Sequence, residues 1–207
     1  MTLISLLDYA SVLVFAITGA LVASRAQLDL VGFAFLACLT AVGGGTIRDQ
    51  LLHRDPVFWI ADPTYLAVAS AAAVVVFLTA HRLESRMRAL IWLDSFALAV
   101  AVAAGAGVAM ARDQAPVIVI LMGMITGCMG GLMRDVVVGQ VPLVLKQGEL
   151  YVSAAFTGAA GAALLEGHFE SPTVPLLTCA CLTWILRAGS LHFGWHLPVY
   201  KSTPPKS

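Results

Sequence analysis

Apolar residues run through this chain in long blocks, and polar residues collect in the short gaps between them. Seven blocks approach the about 20 residues that an α-helix needs to cross a hydrocarbon core. They are residues 3–24, 29–52, 64–80, 90–111, 117–138, 148–165 and 173–191. The gaps carry turn and charge signals, from Arg25 to Asp29, His53 to Pro63, His81 to Arg88, Arg112 to Pro116, Gly139 to Gln147 and Glu166 to Pro172. The first block reads as a span rather than a signal peptide, because it lacks a basic start and carries Asp8 early. From Pro198 the tail is short, polar and Pro-rich, and reads as disordered. The pattern predicts an all-α polytopic membrane protein with seven transmembrane helices.

The chain also repeats itself. A gapless shift of 86 residues brings Asp8 onto Asp94, Gly19 onto Gly105 and Thr40 onto Thr126. It brings Gly44-Gly45 onto Gly130-Gly131, Arg48-Asp49 onto Arg134-Asp135, Pro56 onto Pro142 and Tyr65 onto Tyr151. Shared apolar composition would match Leu, Val and Ala, not charges, Gly and Pro, so the repeat is real. Each copy holds three spans, and an odd number makes the second copy enter the membrane from the opposite side. The expected organisation is a first three-helix repeat over 1–88, an inverted second repeat over 89–172, a seventh helix over 173–197 and a cytoplasmic tail over 198–207. In such inverted-repeat folds, sites lie between the repeats on interrupted helices. The seventh span has no counterpart, and its expected role is packing or an oligomer contact.

Composition agrees with this class. Hydrophobic residues make up 59% of the 207 and charged ones 12%, with mean hydropathy +0.89, whereas soluble domains carry about 25% charged residues. Zero net charge argues against a nucleic-acid partner. Cys38, Cys128, Cys179 and Cys181 lie in apolar stretches without metal or disulfide spacing, and read as small buried hydrophobes. Loop charge sets the expected orientation. With the N-terminus outside, the cytoplasmic side holds Arg25, Arg82, Arg86, Arg88, Lys146, Lys201 and Lys206, and the outer loops hold only Arg54 and Arg112 among basic residues. This predicts N-out and C-in.

Candidate chemistry lies in the repeated motifs, Gly43-Gly44-Gly45-Thr46-Ile47-Arg48-Asp49 and Gly130-Gly131-Leu132-Met133-Arg134-Asp135. Glycine costs about 1 kcal/mol relative to alanine in a helix, so each cluster is a place to bend or unwind. Unwound backbone would free carbonyl oxygens that suit cations. The competing reading is close helix packing through small residues. Charges inside spans face a partner or a water-filled cavity, and the alternative for Arg48 and Arg134 is snorkelling to headgroups. At about 1.5 Å per residue, the span-two glycines lie roughly 22 Å from the inner face, with Arg48 near the outer mouth and Arg134 near the inner one. Neighbours on a helix point about 100° apart, so Arg48 and Asp49 are not expected simply to neutralise each other. Asp8 and Asp94 open the first helix of each repeat and are candidate partners of Arg48 and Arg134, in competition with Asp49 and Asp135. A helix N-terminal carboxylate is the alternative role for Asp8 and Asp94. No Walker loop, GxSxG or zinc-binding His pair is present, so an enzyme is not expected and neither is a cofactor. His192 and His196, flanking Trp195, read as an interfacial anchor.

At the two glycine–arginine–aspartate motifs the chain resembles the prokaryotic relatives of the trimeric intracellular cation (TRIC) channels. The likeness covers essentially the whole chain, although Met129 stands where a strict second triplet would have glycine. The resemblance implies a homotrimer in membrane lipid with a pore through each subunit, lined by glycine-kinked second and fifth helices. It implies passive permeation of monovalent cations, K+ above all and Na+ second, with transient K+ near Gly44 and Gly130. It carries Gly43, Gly44, Gly45, Thr46, Gly130 and Gly131 as pore and kink residues, and Arg48, Asp49, Arg134, Asp135, Asp8 and Asp94 as gating or ion-pair candidates. Animal members have a longer lysine-rich tail, so a prokaryotic cell (inner) membrane is the expected location. The same group resembles proteins labelled glycine transporters, which makes a secondary transporter for glycine or another small amino acid the alternative. A third class is a packing subunit with no pathway. A channel gives unitary currents, a carrier gives saturable flux without them, and a scaffold gives neither.

Overall fold

The computed structural model describes residues 2–82, 86–146, 149–169 and 171–198. Most of the expected tail, with Lys201 and Lys206, lies outside the described residues. The described chain is all-helical: α1 Leu3–Arg25, α2 Leu30–Leu51, the short α3 Phe58–Ala61, α4 Thr64–Thr79, α5 Arg86–Met110, α6 Pro116–Val137, α7 Val152–Leu165 and α8 Thr173–Phe193. Six of the described helices are long and apolar enough to cross a membrane, counting α4 with the 3-10 turn Ala80–Arg82 that extends it. The protein is a polytopic membrane protein.

Local chemistry sets the helix ends. Thr2 and Asp29 cap α1 and α2 by accepting from the Ser5 and Gly32 amides at 3.2 and 2.8 Å. Pro116 begins α6, where its missing N–H costs nothing. The ends of α2 and α6 match at the 86-residue shift. His53 and Gly139 take left-handed conformations, and the Arg54 and Gln140 amides close back on the Asp49 and Asp135 carbonyls at 2.8 and 2.9 Å.

The helices alternate between two faces. On the N-terminal face, Asp8 near the start of α1 meets Arg48 near the end of α2, and Arg112 beyond α5 donates to the Leu52 carbonyl at 3.3 Å. On the opposite face, Arg25 at the end of α1 reaches Met87 at the start of α5, and the Leu150 amide before α7 bonds Ser190 of α8 at 3.0 Å.

Glycines set the central crossing. A Cβ on Gly44 would overlap the Thr126 carbonyl oxygen, and one on Gly130 would overlap that of Thr40. Rising positions on α2 therefore meet falling positions on α6, and the two helices run antiparallel with backbones in contact. Gly19 and Gly105 make the matching contacts of α1 with α2 and of α5 with α6, at Leu36–Thr40 and Met122–Thr126. Both threonine hydroxyls bond back to those same carbonyls, Leu36 and Met122, at 2.6 and 2.7 Å.

Three expectations need correction. Helices α2 and α6 stay α-helical through Gly43–Gly45 and Gly130–Gly131, so no unwound segment frees carbonyls there. The glycines instead let other groups approach, and the packing they allow offsets their conformational cost. The block 148–165 yields a helix only from Val152, 14 residues long, or about 21 Å, short of the about 30 Å core. Before it the described chain forms a 3-10 turn, Leu143–Leu145, and a non-helical stretch in which the Tyr151 amide bonds the Glu149 carbonyl at 3.0 Å. The block expected at 90 begins at Arg86, which places Asp94 two turns inside α5 rather than at its N-terminus.

The halves differ around α8. Gly158 and Gly161 of α7 seat Thr183 and Leu182 of α8, and Gly107 of α5 meets Leu176 at 3.1 Å. Their counterparts at the 86-residue shift, Ala72, Val75 and Leu21, line an open apolar groove of about 500 Å3 between α1 and α4.

The crossing makes a stability prediction. Gly44→Ala and Gly130→Ala each force a methyl against a backbone oxygen and should cost about 1–3 kcal/mol. Gly131→Ala would meet nothing nearer than the Tyr151 hydroxyl at 3.4 Å, an ordinary contact distance, and should cost less. Thermal unfolding in detergent distinguishes the three, and equal losses at all three positions would refute the crossing.

Candidate functional site

Two buried clusters sit at the ends of the α2–α6 pair. In the first, the Arg48 guanidinium is fully buried. Its Nε donates to Asp49 Oδ1 at 2.8 Å and its Nη1 to Asp8 Oδ1 at 3.1 Å. The other Asp49 oxygen accepts from the Phe58 amide at 2.9 Å and stands 3.6 Å from Arg54 Nη1. The Phe58 ring lies 5.4 Å from the guanidinium carbon. In the second, Arg134 is equally buried. Its Nε donates to Asp135 Oδ1 at 2.7 Å, and its Nη1 to Asp94 Oδ1 and Thr18 Oγ1 at 2.9 and 3.0 Å. Asp135 Oδ2 accepts from the Leu143 amide at 2.9 Å. Asp94 Oδ2 accepts from the Tyr151 hydroxyl at 2.8 Å.

The clusters correct the expected competition between carboxylates. Each arginine binds its sequence neighbour and the distant aspartate together. A guanidinium presents separate Nε and Nη edges, and its long side chain folds back far enough to reach the next residue. Snorkelling is excluded by full burial. Nη2 of both arginines is buried without a hydrogen-bond partner. These unpartnered groups occupy matching positions in the two halves.

The remaining expected residues are placed as follows. Met133 lies where a Gly43 side chain would, and the Phe58 ring packs on Gly45, 2.7 Å from where its Cβ would be. Thr46 accepts from Trp59 Nε1 at 2.8 Å. Gly44 and Gly130 form the crossing, and Gly131 opens towards Tyr151 and Asp94.

Sequence reasoning missed part of the second cluster. Arg187 of α8 is fully buried, with its guanidinium carbon 4.9 Å from the Tyr151 ring centre and Nη2 2.7 Å from Glu149 Oε2. Lys146 meets the other Glu149 oxygen at 2.7 Å. Burial pushes the Glu149 carboxyl up, but the hydrogen bonds and charges of Lys146 and Arg187 outweigh it and hold its pKa below the ordinary value. Arg187 was legible as a lone charge in the seventh block; Thr18 gave no sequence signal. Where the first cluster has Arg54, the shifted position is Gln140, and the additional buried charge on this side, Arg187, pairs with Glu149. Among the described residues, no group of three or more His, Cys, Asp or Glu side chains could hold a metal ion.

Comparison with known proteins fits this geometry. The family model described as "Glycine transporter" matches residues 5–81 and 91–166, one match on each repeat. The chain is 38% identical over 201 residues to the inner membrane protein YadS of Escherichia coli K12, covering 94% of each. It is similar to the structure of the TRIC trimeric intracellular cation channel orthologue from Rhodobacter sphaeroides, with a TM-score of 0.90, 40% identity and coverage of 94% of this chain and 100% of that one. A second TRIC cation channel structure matches with a TM-score of 0.85, 27% identity and coverage of 98% and 99%.

The clusters predict how stability responds to mutation. Asp94→Asn leaves a buried guanidinium undercompensated and should cost about 3–5 kcal/mol. Tyr151→Phe removes one bond to a charged acceptor and should cost about 1.5–3 kcal/mol. The double change Asp94→Asn with Arg134→Met should cost less than the sum of its singles. Additive losses in thermal melts would show that the two side chains are not coupled.

Proposed function

This chain belongs to the glycine-transporter family, which includes the TRIC channels, and from that membership we propose that it conducts monovalent cations across a prokaryotic inner membrane. The observation that carries the reading is the pair of buried arginine–aspartate clusters at opposite ends of the antiparallel α2–α6 pair. They lie within a fold shared, at 40% identity, with a trimeric cation channel.

In this reading the two halves are inverted repeats, and the antiparallel crossing and matched bonds support that relation. The ion path follows α2 and α6. The crossing at Gly44, Gly130 and their threonine partners is its constriction, and the arginine clusters are its mouths. A fixed arginine repels a passing cation by up to a few kcal/mol in a low-dielectric channel. Asp8 and Asp49 offset Arg48, and Asp94 and Asp135 offset Arg134. Rearranging these bonds changes the barrier without large helix movement. K+ is the main permeant ion and Na+ the second, with transient K+ beside Gly44 and Gly130 met by threonine and carboxylate oxygens rather than by unwound backbone.

The functional unit is a homotrimer, each subunit with its own path. The vacant α1–α4 groove supports self-association, because its counterpart in the other half is covered by a helix. The basic residues Arg25, Arg82, Arg88 and Lys146 share the face opposite the N-terminus, which supports N-out and C-in. A carrier for glycine or another small amino acid is the second reading, favoured by the description of the matching family model.

Planar bilayers containing the purified protein should show unitary K+ currents, and saturable glycine flux without such currents would favour the carrier. Arg48→Ala and Arg134→Ala should give folded oligomers with altered conductance or open probability. Unchanged currents from both well-folded variants would eliminate the gating role.

A further inference from the structure

On the N-terminal face, where α1 begins and α5 ends, the chain between α7 and α8 borders a cavity of about 210 Å3. Its lining includes Ile4, Met110, Glu166, Phe169, Pro172 and Pro175, and shares no residue with either arginine cluster. We propose that this cavity binds a small organic ammonium ion, with the charged end on the Glu166 carboxylate and the apolar body against Phe169 and the two prolines.

The lining calls for a positive charge on an apolar body. Among the described residues, Glu166 is the single charged side chain in the lining, and no cationic side chain pairs with its carboxylate. The basic residues of this face are committed elsewhere, Arg112 to the Leu52 carbonyl at 3.3 Å and Arg54 to Asp49 at 3.6 Å. His168 turns a ring nitrogen to the Glu166 backbone carbonyl at 3.3 Å, not to its carboxylate. Burial, and then the charge of Asp113, push the Glu166 carboxyl above its ordinary pKa. A bound cation relieves both effects. Phe169 adds an aromatic ring, whose face attracts ammonium groups. Drug-sized ligands occupy roughly 300–1,000 Å3, so this smaller cavity takes a small amine. A bare metal ion fits poorly, because calcium takes about six to eight oxygen ligands and a single carboxylate in an apolar lining falls far short.

The carboxylate stands on a fixed backbone. The Glu166 amide closes α7 on the Ala162 carbonyl at 3.0 Å, Gly167 turns left-handed, and the His168 amide returns to the Leu165 carbonyl at 3.2 Å. Further on, the Ser171 and Thr173 hydroxyls bond each other at 2.9 Å where α8 begins. Gly107 also lines the cavity, and a Cβ there would stand 3.1 Å from Leu176 and 3.3 Å from Ile4. Helices α1, α5 and α8 therefore close together at that point and give the cavity a packed apolar base. The ligand has little to reorganise on arrival.

The site is independent of the conduction reading, and its test does not use currents. The full chain in neutral detergent is dialysed to equilibrium against benzylammonium, with protein-free micelles as the blank. Benzyl alcohol, of the same shape without the charge, is measured in parallel. Benzylammonium should be retained above the blank and benzyl alcohol should not. Glu166→Gln should weaken retention about tenfold, the loss of one hydrogen bond to a charged group. Glu166→Asp should keep part of the binding. Phe169→Leu should weaken it about two- to fivefold, the effect of one exposed cation–π contact. Asp55→Asn, an exposed change on the same face outside the cavity, should leave it intact. Equal retention of the two probes overturns the proposal, and so does an Asp55→Asn loss as large as that of Glu166→Gln. Full displacement by millimolar Ca2+ would show an inorganic-cation site and overturn it as well.

Discussion

A guanidinium buried among membrane-spanning helices must have its charge answered by its surroundings, and much of this structure follows from doing that twice. Arg48 and Arg134 have no exposed surface. A charge in that position is tolerated only with partners at hydrogen-bond distance. Each arginine therefore fixes the first helix of its half through Asp8 or Asp94, and its own helix end through Asp49 or Asp135. Each neighbouring aspartate then accepts the amide of Phe58 or Leu143 and ties down the chain that follows. The loops beyond α2 and α6 are thus positioned from the buried charge outward.

The sequence carried much of this plainly. The 86-residue shift aligned Asp8, Arg48 and Asp49 with Asp94, Arg134 and Asp135, and those are the groups that meet. The spacing could not show that one arginine would hold both carboxylates, because that depends on how a long side chain folds back along its helix. Glycine propensity suggested a break. The structure uses Gly44 and Gly130 for backbone approach instead, since a missing Cβ serves either purpose and only the neighbouring helix decides. Helix α7 was read too long because the apolar residues before Val152 include Leu150 and Tyr151, which pack or hydrogen-bond without being helical. Thr18 and the Arg187–Tyr151 contact join elements far apart in sequence, and no local pattern announces them.

Near-symmetry makes the differences informative. The first cluster balances two carboxylates with Arg48 and Arg54, the latter partly exposed at the surface. The second has Gln140 at the shifted position, and the buried Arg187 beside its Tyr151 is paired with Glu149. Solvent can therefore adjust the first cluster more readily than the second. Helix α8 does more than cover α5 and α7, since it sets Arg187 against Tyr151 and Glu149.

The sequence range of each cluster also bears on how the protein enters the bilayer during synthesis. Every group that answers Arg48 lies between residues 8 and 58, within the first part of the chain to emerge. That half can release its arginine into lipid already neutralised, before α5 exists. Arg134 takes Thr18 from α1, and the Tyr151 that supports Asp94 sits under Arg187 of the last helix. The second cluster therefore closes only when α1, α5, α6 and the chain before α7 are together. The two halves are alike in composition, but the first is self-sufficient during biogenesis and the second depends on it.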